Sequence, residues 1–81
     1  MNKTEITEKI IACAASAYEV PAENIRLETK IREELSNQSM LMISFISEIE
    51  DELGVTIEIR DAADMYTIED FVNAAKDLLG E

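Results

Sequence analysis

The sequence predicts an all-α fold: a small bundle of three main helices plus one short helix, with a long first loop. Three observations carry that prediction. Apolar residues recur at three- and four-residue intervals in three separate stretches, the pattern of helices that bury one face. Strand-like alternation occurs once, at Val55-Thr56-Ile57-Glu58-Ile59, with no second stretch to pair with it, and a lone strand is not stable. The 81 residues, 47% of them hydrophobic, suffice for one small domain, expected over residues 1–81, with a modest core.

The first helix is expected from about Thr4 to Tyr18. Thr4 is a plausible cap, and Glu5 and Glu8 suit the positive end of the helix dipole. Ile6, Ile10, Cys13, Ala14 and Ala17 form its inner stripe. Pro21 ends it, because the residue before a proline is pushed out of the α region. The connection from Glu19 to Gln38 is long for so small a chain, and such loops usually serve function. Its Val20, Ile25, Leu27, Ile31 and Leu35 imply a loop pinned to the core, with a helical turn at Ala22 to Ile25.

The second helix is expected from Ser39 to Leu53. Met42, Phe45, Ile46, Ile49 and Leu53 share one face, and Gly54 supplies the stop. Met40 and Leu41 are read as pointing away from that face, with Ser44, Ser47, Glu48 and Asp51 on the exposed side. Val55, Ile57 and Ile59 are expected to face inward from an extended segment. A short helix follows around Arg60 to Asp64. Thr67 caps the last helix, whose stripe is Ile68, Phe71, Val72, Ala75, Leu78 and Leu79.

Charge excludes several functions. Eighteen Asp and Glu stand against seven Lys and Arg, for a net charge of −11. That field repels nucleic acid and anionic lipid and steers toward basic protein surfaces. No apolar run is long enough to span a membrane, and no leader is recognisable, so a cytoplasmic protein is expected. Cys13 is the only cysteine; among apolar neighbours it reads as a small buried hydrophobe.

Catalytic equipment is sparse. The chain has no histidine, so the commonest general base is missing. Gly54 and Gly80 are its only glycines, too few for a phosphate-cradling loop. The acids lack the pattern of a calcium loop, so no metal is expected. The chain is expected to act by being bound or loaded rather than by catalysis.

Attention therefore falls on Ser39. A serine at the start of an apolar helix can cap it. Ser36 and Asn37 could cap instead, and no Glu or Gln stands three residues after Ser39 to complete a capping box. A phosphoester on this hydroxyl would sit at the positive end of the helix dipole.

The segment Glu34-Leu35-Ser36-Asn37-Gln38-Ser39-Met40 resembles the Asp-Leu-Gly-x-Asp-Ser-Leu motif of the acyl carrier protein family. The resemblance extends over the whole chain in length, acidity, helix order and the acidic end of the second helix at Glu50-Asp51-Glu52. It implies that Ser39 carries 4′-phosphopantetheine, donated by coenzyme A through a phosphopantetheinyl transferase. The arm's thiol would hold an acyl or aminoacyl group as a thioester. The second helix would dock loading and processing enzymes through their basic patches, with Gln38, Met40, Leu41, Glu48 and Asp51 in contact. Family members are usually monomers, and a monomer is expected here. Two departures stand out: Gln38 replaces an aspartate, and Ser36 replaces a glycine. The alternative is an unmodified acidic helical module that acts only by binding a protein partner.

Overall fold

A computed structural model of the protein describes residues 1–81. Its α-helices are α1 (Lys3–Tyr18), α2 (Ser39–Leu53), the four-residue α3 (Ile59–Ala62) and α4 (Ile68–Leu79). A 3-10 turn at Ala22–Asn24 and a π-helical turn at Ile31–Leu35 interrupt the long loop. There are no strands. The one β-type contact is an isolated antiparallel bridge between Lys30 and Thr67.

Helix α1 begins earlier than expected. Asn2, not Thr4, is its cap: the Asn2 side chain accepts from the Glu5 amide at 2.9 Å, and the Glu5 carboxylate accepts from the Asn2 amide at 3.1 Å. Reciprocal satisfaction of two free amides outweighs the single bond a threonine could offer. At its other end Glu19 takes the left-handed conformation (φ 56°) that usually belongs to glycine, and its amide bonds to the Ala15 carbonyl.

Helix α1 packs against both α2 and α4. The interface is built from fully buried Ile6, Ile10, Phe45, Ile49, Ile68, Phe71 and Val72. Phe45 is the hinge of this core. Its ring meets Tyr18 edge-on at 5.8 Å and Phe71 edge-on at 5.0 Å. Each such pair adds roughly 0.5–1.5 kcal/mol beyond area burial. Truncating Phe45 to alanine would open a cavity costing about 3–5 kcal/mol.

Two inner-face expectations fail. Ile59 is 62% exposed and Leu78 is 54% exposed. Ile59 opens α3 rather than ending a strand-like run, so its side chain follows helical and not alternating geometry. Leu78 turns to the surface of the last turn of α4, while Leu79 beside it stays partly packed against the core. Ile57 is buried as expected, and its amide is held by the Glu50 carboxylate at 2.8 Å. That bond ties the segment after Gly54 back to α2.

The long loop is fastened to the α3–α4 corner. Ile31 donates to the Tyr66 carbonyl at 2.9 Å, Ile68 to Thr29 at 3.1 Å and Glu69 to Leu27 at 2.9 Å. Buried Thr29 accepts from the Arg26 amide at 2.8 Å, and this turns the chain toward the corner. The corner itself is fixed by a capping box: Thr67 accepts from the Asp70 amide, and the Asp70 carboxylate accepts from the Tyr66 and Thr67 amides at 2.7 and 3.1 Å. With its middle clamped, the loop delivers residues 36–39 to one end of α2.

Candidate functional site

Helix α2 starts at Ser39, with Gln38 as its cap position in extended conformation (φ −74°, ψ 125°). The Gln38 carbonyl accepts from the amides of Leu41 and Met42 at 3.2 and 3.3 Å, but its side chain makes no capping bond. The Ser36 hydroxyl accepts from the Gln38 amide at 3.1 Å and so shapes the turn just before the helix. Ser39 is thus the first residue inside the helix, not its cap. Its side chain is exposed, and no hydrogen bond within the chain engages its hydroxyl.

The electrostatics at this end favour an anion. The amides of Ser39 and Met40 have no partner within the chain, and the first turn of α2 carries no acid. Free amides and an uncompensated dipole end together stabilise a negative group. The absence of an acid there matters in a chain of net charge −11.

Beside Ser39 a cleft of about 200 Å³ opens between α2 and α3. Met42, Ile43, Ile46, Ile59 and Ala62 make its apolar walls, and Arg32 supplies its one charged side chain. Arg32 leaves the π-helical turn and donates to the Met65 and Ala62 carbonyls at 2.7 and 3.1 Å. Its guanidinium lies 5.7 Å from the centre of the Tyr66 ring.

The expected docking residues do not share one surface. Met40 is 80% exposed and Asp51 is exposed, so these two do point outward together on α2. Leu41 is half-buried and packs against the core, contrary to its expected outward position. Glu48 is also half-buried; it faces α1, lining a shallow groove with Lys9, Cys13 and Glu52. Lys9 bonds to Glu52 at 3.0 Å across this groove. Burial, with help from Glu48 and Glu52, pushes the Cys13 thiol up to about 11, so it stays a protonated, inert filler.

Sequence reasoning misses Ile43 and Arg32, and it places Ile59 in the core rather than in the cleft. Ile43 stands four residues after Ser39, a spacing that places it on the same flank of a helix. That signal was available. Ile59 reaches the cleft from the start of α3 and Arg32 from the π-helical turn, through packing of these elements beside α2 that no local pattern encodes.

A family model described as a phosphopantetheine attachment site matches residues 8–75. An acyl carrier protein of Saccharopolyspora erythraea is 30% identical over 79 residues, covering 98% of this chain and 83% of the relative. Another acyl carrier protein, from Thermosynechococcus vestitus, is 32% identical over 73 residues, covering 90% of each chain. A third, from Lactobacillus acidophilus, is 32% identical over 76 residues, covering 94% and 95%. The chain belongs to the acyl carrier protein family. Its fold is the expected small helical bundle, and its family's cofactor is covalently attached 4′-phosphopantetheine. The free hydroxyl, unpaired amides and adjoining cleft at the start of α2 fit such a phosphate-linked group.

Proposed function

We propose that residues 1–81 form one carrier domain that holds an acyl or aminoacyl group as a thioester on a 4′-phosphopantetheine arm esterified to Ser39. One observation carries the reading: the Ser39 hydroxyl is exposed and unbonded at the acid-free, positive end of α2. A serine needed for structure would be spending that hydroxyl on a cap.

Arm transfer would need a separate transferase, since the chain offers no histidine to take the serine proton. The Ser39 oxygen forms its bond to phosphorus as the pyrophosphate bond of coenzyme A breaks. The nucleotide portion leaves, and the transferase removes the proton. The free amides of Ser39 and Met40 would hold the arm's phosphate, which supplies a flexible link ending in a thiol. The arm then gives its cargo a high local concentration at each docked enzyme. The chain carries cargo and performs no catalysis itself.

Gln38, Met40 and the uncharged stretch from Ser39 to Ser47 would meet a partner close to the arm. Asp51 would steer the approach of a basic patch, with Glu48 contributing from the flank and Leu41 supporting the surface from below. No helix is long and apolar enough to cross a membrane, which suits exchange between enzymes in the cytoplasm.

Gln38 favours one competing reading, an unmodified interaction module, because it removes the acid that precedes the serine in the family motif. Incubation with coenzyme A and several broad-specificity transferases, read by intact mass, separates the two. One arm per chain is expected, and none on Ser39→Ala. No gain with any transferase overturns the carrier reading.

A further inference from the structure

Arg32 is an unusual side chain to find in the wall of an apolar cleft. A guanidinium carries five N–H donors and a permanent charge. Two donors are used, on the carbonyls of Met65 and Ala62. The remaining donors have no acceptor within the chain, and no carboxylate pairs with the charge. This happens in a protein with eighteen acidic residues, whose three ion pairs all lie elsewhere. Half-burying a charge without a counter-ion is costly. The carbonyl bonds and the Tyr66 ring hold the group firmly in place but do not neutralise it.

The cleft is also small: about 200 Å³, below the roughly 300 Å³ at which pockets for drug-sized ligands begin. It suits a short chain rather than a long one.

We infer that Arg32 makes the cleft beside Ser39 selective for short acyl cargo that bears an acceptor oxygen beyond the thioester, over a plain hydrocarbon chain of the same length. This rests on the carrier reading above. The methylenes lie against Met42, Ile43 and Ile46, and the oxygen accepts a charge-assisted bond from the free guanidinium N–H groups. A plain chain leaves those donors facing hydrocarbon, so discrimination arises from the unpaired polar group as much as from the bond. A hydroxyl, a carbonyl and a carboxylate all offer the required acceptor.

The test loads apo-protein with butyryl, 3-hydroxybutyryl or succinyl phosphopantetheine from the corresponding coenzyme A thioesters. Thioester cleavage by hydroxylamine is then timed in wild type and in Arg32→Met. Taking the ratio of the two proteins for each cargo cancels the cargo's own reactivity. The expected ratio is about tenfold in favour of wild type for the two oxygen-bearing cargoes, the factor one such bond supplies, and near unity for butyryl. Equal ratios for all three cargoes overturn the inference while leaving the carrier reading intact. Failure of any arm to attach overturns both.

Arg32→Met also removes two carbonyl contacts, so wild type provides an independent measurement. The Nε–H resonance of Arg32 should move with 3-hydroxybutyryl and succinyl cargo and stay in place with butyryl. A resonance that moves fully on attachment of the bare arm, and no further with cargo, would assign Arg32 to the arm's phosphate and overturn the proposal.

Discussion

Replacing Asp70 with alanine should loosen the corner that positions the long loop. The Asp70 carboxylate accepts from the Tyr66 and Thr67 amides at 2.7 and 3.1 Å, and its own amide donates to Thr67. Tyr66 and Thr67 in turn contact Ile31 and Lys30 of the loop. A capping interaction is worth about 1 kcal/mol, and a bond to a charged acceptor somewhat more. Water partly replaces these bonds at a site only half-buried, so the combined loss should be about 2 kcal/mol. For a domain of this size that lowers the thermal midpoint by roughly 10 °C. The same bonds set the pH dependence. The amides of Tyr66 and Thr67 hold the Asp70 carboxyl below its usual value of 3.8. A group lowered in the folded state stabilises fully above its unfolded value, and the gain fades as pH falls through the folded value. Wild type and Asp70→Ala should therefore differ most at neutral pH and converge well below pH 3.8. Thermal unfolding followed by circular dichroism at both extremes checks this. A gap under about 0.5 kcal/mol at neutral pH, or one unchanged in acid, would refute the reasoning.

Three further outcomes are expected. Tyr18→Phe removes a buried hydroxyl that has no partner, so it should stabilise the fold by about 1 kcal/mol, read as a higher urea midpoint; destabilisation would reveal a hidden acceptor. Gln38→Asp should speed arm transfer and also raise the thermal midpoint by a few degrees, because aspartate can cap α2 where the glutamine side chain does not; an unchanged transfer rate would show that the departure from the family motif is harmless. Sodium chloride should raise the thermal midpoint of wild type, since a net charge of −11 repels itself more than three exposed ion pairs attract, and screening acts over about 10 Å at 0.1 M. A midpoint that falls with salt would mean that the pairs dominate.

Much of this architecture was legible in the sequence because it is periodic. The bounds of α2, the glycine stop at Gly54 and the Thr67 cap follow from local rules that need no partner. The inner stripe of α2 was read correctly at Phe45, Ile46, Ile49 and Leu53 for the same reason. What failed was decided elsewhere in the chain. Helical angle alone points Leu41 outward, yet the neighbouring elements cover it partly. The same angle puts Glu48 on the open side, but α1 packs close enough to shield it. Ile59 followed an alternating pattern that a four-residue helix overrode. The Ile31–Leu35 turn was hidden because a π-helical turn has no strong periodic signature, and its placement depends on pairing with the 66–69 corner. Arg32 joins the cleft only through that pairing. Ser39 itself was visible from its motif, but that its hydroxyl is free rather than capping required the geometry of Gln38 and Ser36.

Fragmentation of the loaded protein tests the central claim most directly. Trypsin should release residues 33–60 as one peptide, because no lysine or arginine lies between Arg32 and Arg60. That peptide contains Ser36, Ser39, Ser44 and Ser47, so sequencing it by mass spectrometry locates the arm among four serines. The arm is expected on Ser39 alone, with Ser36, Ser44 and Ser47 unmodified. An arm on any of those three, or spread among them, would contradict the assignment of Ser39 as the attachment residue.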